Sequence, residues 1–194
     1  MSSIPIFADE SWRLPSRGRV GMLSLIVGES GIFTIFVVAY IYYIGRSLSG
    51  PTAKILEVPI FNSVCLLSSS VTIILAEHAI QHGSVRRFAA WWALTMLLGI
   101  EFLAGTAIEW CKLIFEDHLT IRTNLFGTTY YSLVGLHATH VIIGLIGLSL
   151  VMLFTLTGRV KPSHAERIQV LALYWHFVDA VWVVVFTVVY IVGR

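Results

Sequence analysis

The sequence predicts an all-α, polytopic membrane protein folded as a five-helix transmembrane bundle. Three observations predict it. Of 194 residues, 57% are hydrophobic and only 12% charged, against roughly 25% charged in a soluble domain. Five apolar segments, near 20–45, 58–79, 90–114, 126–156 and 168–192, each reach the ~20 residues that cross ~30 Å of hydrocarbon. Inside those segments lie isolated Glu, His and Asp residues, which are costly in lipid and so face a protein interior or a water-filled cavity. Helices rather than strands are expected, because a spanning helix satisfies its own backbone.

Composition excludes other classes. A net charge of +2 with no basic run gives no footprint for nucleic acid. Cys65 and Cys111 lie in separate apolar segments and form neither a disulfide framework nor a zinc spacing; both are expected to pack as small hydrophobes. The first apolar run is too long for the core of a signal peptide and lacks a cleavage pattern. Residues 1–19, with Pro5, Pro15, Arg13, Arg17 and Arg19, are expected to form an interfacial arm, and 20–194 a single membrane domain.

Orientation follows from Lys and Arg near the span ends. The side of the N-terminus carries Arg13, Arg17, Arg19, Arg86, Arg87, Arg159, Lys161 and Arg167. The other side carries Arg46, Lys54, Lys112, Arg122 and Arg194. Eight against five places the N-terminus in the cytoplasm and the C-terminus outside.

In the first segment Ser24, Gly28 and Gly31 form a small-residue stripe that would let another helix approach closely. Glu29 lies beside it, ~14 Å into the span at 1.5 Å per residue. It is either a proton-exchanging or lipid-contacting carboxyl, or a neutral acid hydrogen-bonded to a neighbouring helix. The second segment opens at Pro59, which suits a first helical turn. Its Ser68, Ser69 and Ser70 can bond across helices or back to their own carbonyls. Glu77 and His78 close it at a solvated end.

Glu101, Gly105 and Glu109 of the third segment are four apart and share a helix face. A dinuclear iron site would need Glu-x-x-His pairs from facing helices, and this helix has none. Glu109 sits with Trp110 near the outer interface, where Trp is favoured, and is expected to make a structural hydrogen bond. The fourth segment carries His137 and His140 at i, i+3. Two histidines one turn apart do not provide the paired ligands of a di-haem helix bundle, so interhelical hydrogen bonding is expected of them. Gly144 and Gly147 permit close packing. In the last segment His176 and Asp179 can reach each other, as a structural lock or a proton-accessible pair, with Trp175 and Trp182 as packing residues.

These motifs resemble subunit III of the haem-copper oxidases. Tyr174-Trp175-His176-Phe177-Val178-Asp179 followed by Val181-Trp182 is similar to the signature of that family's last helix. Gly135-Leu136-His137-Ala138-Thr139-His140-Val141-Ile142-Ile143-Gly144 resembles its Gly-x-His-x-x-His-Val helix. Glu57-Val58-Pro59-Ile60-Phe61-Asn62 resembles a helix start of the family, and Glu109-Trp110 its Glu-aromatic pair. Gly28-Glu29-Ser30 resembles the stretch that holds its carbodiimide-reactive glutamate. The resemblance covers nearly the whole chain past residue 17.

The resemblance implies a short bacterial form lacking the first two of seven helices, and with them the lipid cleft between helix groups. It implies no haem, copper or other cofactor in this chain; haem and copper would belong to partner subunits. Partners would be oxidase subunit I, other oxidase subunits and membrane phospholipids. Glu29 would be the proton- or lipid-linked carboxyl, and Glu109, His137, His140, His176 and Asp179 an intramembrane polar network. Glu101 stands where the family has an apolar or aromatic residue and receives no role. Two related readings share this chain's role: a quinol oxidase subunit III and the subunit III-like partner of nitric oxide reductase. A stand-alone proton-coupled transporter is the reading of another class, but internal repeats and broken midplane helices, usual in transporters, are not seen.

Overall fold

A computed structural model describes residues 16–46 and 50–193. Residues 1–15 of the expected arm, including Arg13, and Arg194 lie outside the described residues. Five long helices follow in order: α1 (Arg17–Tyr43), α2 (Ile60–Gln81), α3 (Val85–Phe115), α4 (Leu125–Leu156) and α5 (Ala165–Phe186). α5 continues as a π-helical turn over Thr187–Val192. Short 3₁₀ turns stand at Ala53–Ile55 and Pro162–His164. All five helices are long and apolar enough to cross a membrane, which makes this a multi-pass membrane protein. Arg17–Arg19, expected in the arm, instead form the first turn of α1, where the Ser16 hydroxyl accepts from the Arg19 amide at 3.4 Å. An N-cap serine supplies the acceptor that the first amides of a helix lack.

α5 is the centre of the bundle. It packs on α1, α2 and α4, while α2 pairs with α3, α3 with α4, and α1 with α4. The α2–α3 hairpin turns through Gly83 at φ +78°, and the Ser84 amide reaches back to the Ala79 carbonyl at 2.9 Å. Gly158 ends α4 the same way at φ +69°, with the Arg159 amide on the Phe154 carbonyl at 3.0 Å. Only glycine enters this left-handed conformation without strain.

Close approach depends on a few glycines. A Cβ on Gly99 or on Gly144 would lie 2.8 Å from the Trp175 ring, which fills the space between α3 and α4. A Cβ on Gly147 would meet Leu171 at 2.9 Å, so the close packing expected of Gly144 and Gly147 is present. The stripe on α1 behaves differently from expectation. Ser24, Gly28 and Gly31 are exposed, and a Cβ on Gly28 or Gly31 would meet nothing within 4 Å. α1 turns its large residues, Phe33 and Tyr40, toward the bundle, and this leaves the small residues on its outer face.

At the start of α4 the Asn124 side chain accepts from the Gly127 amide at 2.8 Å, and a Cβ on Gly127 would lie 2.4 Å from the Thr120 backbone carbonyl oxygen. A backbone atom cannot swing aside. Gly127→Ala is therefore expected to lower stability by about 1–3 kcal/mol, read as a lower unfolding midpoint in detergent.

Candidate functional site

The intramembrane polar residues fall into separate groups rather than one network. The first joins α1 to α4. Glu29 Oε2 lies 3.1 Å from His140 Nε2, with the Glu29 side chain 23% exposed. His140 Nδ1 lies 2.8 Å from the Leu136 carbonyl oxygen, and the Phe33 ring lies against the imidazole at 4.9 Å. A carbonyl only accepts, so Nδ1 carries a hydrogen. The contact between Nε2 and Oε2 then holds one proton, on the carboxyl or on the imidazole. The neutral, hydrogen-bonded reading of Glu29 and a proton-exchanging one share this same geometry.

The second group joins α2 to α5. Ser70 donates to Asp179 Oδ2, and its oxygen lies 3.1 Å from His176 Nδ1. The serine thus stands between the histidine and the aspartate, which the sequence suggested would meet directly. Beside it, the Trp175 indole N–H donates to Ser69 Oγ at 2.8 Å. One level further along α5, Trp182 donates to Ser63 Oγ at 3.1 Å. These tryptophans pack, as expected, and they also tie α5 to α2 through polar contacts. Thr72 and Thr95 add a hydroxyl contact of 2.7 Å between α2 and α3.

Third, Glu109 Oε1 accepts from the Tyr130 hydroxyl at 3.1 Å and the Tyr190 hydroxyl at 2.9 Å. This single carboxyl oxygen joins α3, α4 and the π-helical end of α5. The structural hydrogen bond expected of Glu109 is present, but it does not run to the histidines. His137 stands apart too. It is completely buried, stacked on Trp182 at 5.0 Å and edge-on to Phe102 at 5.6 Å. Neither ring nitrogen makes a hydrogen bond among the described residues, so its contribution is ring packing rather than the expected interhelical bond.

Glu101 lines a cleft of about 370 Å³ between α2 and α3. The Asn62 side chain projects there into the notch left by Gly105, where a Cβ would overlap it at 2.0 Å. At the rim Lys112 pairs with Glu57 and holds that carboxyl below its ordinary range. Cys111 is exposed rather than packed, and Cys65 is half-buried. No group of three or more His, Cys, Asp or Glu among the described residues is placed to hold a metal ion.

Sequence reasoning named the acids and histidines but missed three of their partners. Ser70 is one of three consecutive serines in the sequence. Neither Tyr130 nor Tyr190 gives a signal of its own in the sequence. A hydroxyl in an apolar helix is uninformative until the facing helix is known.

A family model described as cytochrome c oxidase subunit III matches residues 16–194. The chain is 31% identical to cytochrome c oxidase subunit 3 of Alkalihalophilus pseudofirmus, over 90% of this chain and 86% of that protein. It is 33% identical to the Corynebacterium diphtheriae subunit 3, over 92% and 89% of the two chains. With the Thermostichus vulcanus subunit 3 it shares 32% identity over 97% and 94%. The chain belongs to the cytochrome c oxidase subunit III family.

Proposed function

We propose that this chain is the non-catalytic subunit III of a prokaryotic cytochrome c oxidase, embedded in the cytoplasmic membrane with its N-terminus inside and its C-terminus outside. Family membership supports the oxidase assignment, and the excess of Lys and Arg on the side of the N-terminus supports the orientation. Haem and copper belong to partner subunits. The chain covers one flank of subunit I, contacts phospholipid, and supports proton uptake and lasting turnover.

One observation carries the functional part: the Glu29–His140 pair. The Glu29 side chain is 23% exposed on a helix that the described residues bury little, which supports contact with lipid or a neighbouring subunit.

The test is to purify the oxidase with and without this chain. The haem spectrum should be the same in both. The complex lacking the chain should take up protons more slowly or lose activity sooner during turnover. Full turnover and full lifetime without the chain would overturn the proposal.

A further inference from the structure

We propose that His176, Ser70 and Asp179 form a proton-storing relay that opens to the N-terminal face of the membrane. Hydrogen-bond direction carries the argument. Ser70 has one hydroxyl proton and gives it to Asp179 Oδ2. With Asp179 ionised, the serine's contact with His176 Nδ1 at 3.1 Å is one in which the imidazole donates. In that state Nδ1 carries the hydrogen and Nε2 a free lone pair.

That lone pair is not sealed in. His176 lines a cleft of about 190 Å³ together with Arg19, Glu77, Glu166 and Gln169. Nε2 makes no hydrogen bond among the described residues and is not among the enclosed, unpartnered atoms. The charged or titratable groups around the ring are Arg19 from α1, Glu77 from α2, and Glu166 and Asp179 from α5 itself; α4 contributes none to the cleft among the described residues. The far end of the relay is closed. Asp179 is 3% exposed, its Oδ1 makes no hydrogen bond among the described residues, and the neighbouring Ser69 hydroxyl already donates to the Leu66 carbonyl at 2.6 Å.

A lock would bury the histidine with its partners. Here one end meets a polar cleft of about 190 Å³ and the other a buried carboxylate. A proton arriving from water at Nε2 lets the Nδ1 proton pass to Ser70 Oγ while the serine proton passes to Asp179 Oδ2. The imidazole ends neutral with its hydrogen on Nε2, and the carboxylate ends as a carboxylic acid. One proton has entered, none is lost, and the steps run backwards equally well.

The inference goes beyond subunit III membership and does not depend on Glu29. Its test uses the intact complex containing this chain. Infrared difference spectra between about pH 5 and 9 should show a buried carboxylic-acid band that disappears in Asp179→Asn. After transfer to D₂O the band should shift at once in the wild type. In Ser70→Ala and His176→Gln the exchange should slow about tenfold or more, the scale on which positioned acid–base groups act. A purely structural serine would leave exchange unchanged, or speed it by loosening the packing. Absence of the band in the wild type, its survival in Asp179→Asn, or equally fast exchange in Ser70→Ala would each overturn the proposal. Should Asp179→Asn fail to assemble, the exchange rate in Ser70→Ala decides the question alone.

Discussion

Trp175→Ala is expected to cost the bundle about 3 kcal/mol. The ring is completely buried. It touches α3 and α4 at glycines, where a Cβ on Gly99 or Gly144 would come within 2.8 Å. Neither neighbour has a side chain that could move in to fill the space. The mutation removes ~140 Å³ of side chain, and at ~24 cal/mol per Å³ of residual cavity this gives ~3 kcal/mol. The orphaned Ser69 oxygen adds to the loss, since Trp175 is its indole donor at 2.8 Å. Lipid lessens the hydrophobic share of the penalty but not the packing share, because helix association in membranes rests on van der Waals fit. Unfolding of the purified complex in increasing denaturing detergent measures it. A midpoint within error of the wild type would show that α3 and α4 close over the space.

The Glu29 series should separate hydrogen bonding from charge. Because Nδ1 of His140 is committed to the Leu136 carbonyl at 2.8 Å, the neutral ring presents Nε2 as an acceptor. An amide can donate to it, so Glu29→Gln should assemble with near wild-type stability. Glu29→Ala leaves a buried imidazole nitrogen without its partner and should cost about 1–3 kcal/mol. In His140→Leu the carboxyl is the orphan, and the loss should be of similar size. The double variant Glu29→Ala, His140→Leu should recover part of it, since removing both partners is cheaper than removing one. Activity then reports on the proton itself. If turnover falls in Glu29→Gln while stability holds, an exchangeable carboxyl is required; if both hold, the pair serves only to join α1 to α4.

Much of this was legible in the residues. Five spans follow from apolar length alone, because lipid leaves the backbone no alternative to helix. Gly144 and Gly147 read correctly as approach points because they interrupt a run of large residues on α4. The stripe on α1 misled for the converse reason: small residues on a helix show that a partner could approach, not that this chain provides one. His137 and His140 look equivalent in sequence at i, i+3, yet one is sealed among rings and the other meets a carboxylate. The difference lies in what α1, α3 and α5 place opposite them, and periodicity along α4 does not contain that. Glu109 was read as hydrogen-bonded, but its partners lie 21 and 81 residues away, beyond any local pattern.

The pairing of α1 has a consequence for how the protein is made. α1 packs on α4 and α5, both synthesised long after it, and little of its surface is buried in the finished bundle. Ser30 and Thr34 are self-sufficient in the meantime, since their hydroxyls donate to carbonyls of their own helix at 2.7 Å. Glu29 is not. Its partner follows 111 residues later, which at about 5–20 residues per second means a wait of roughly 5–20 seconds. For that interval the ribosome has left a lone acid in the bilayer. Until His140 emerges, the nascent chain depends on whatever insertion factor or lipid headgroup shields that acid, and a stalled ribosome at this stage would present a segment that membrane quality-control proteases can recognise.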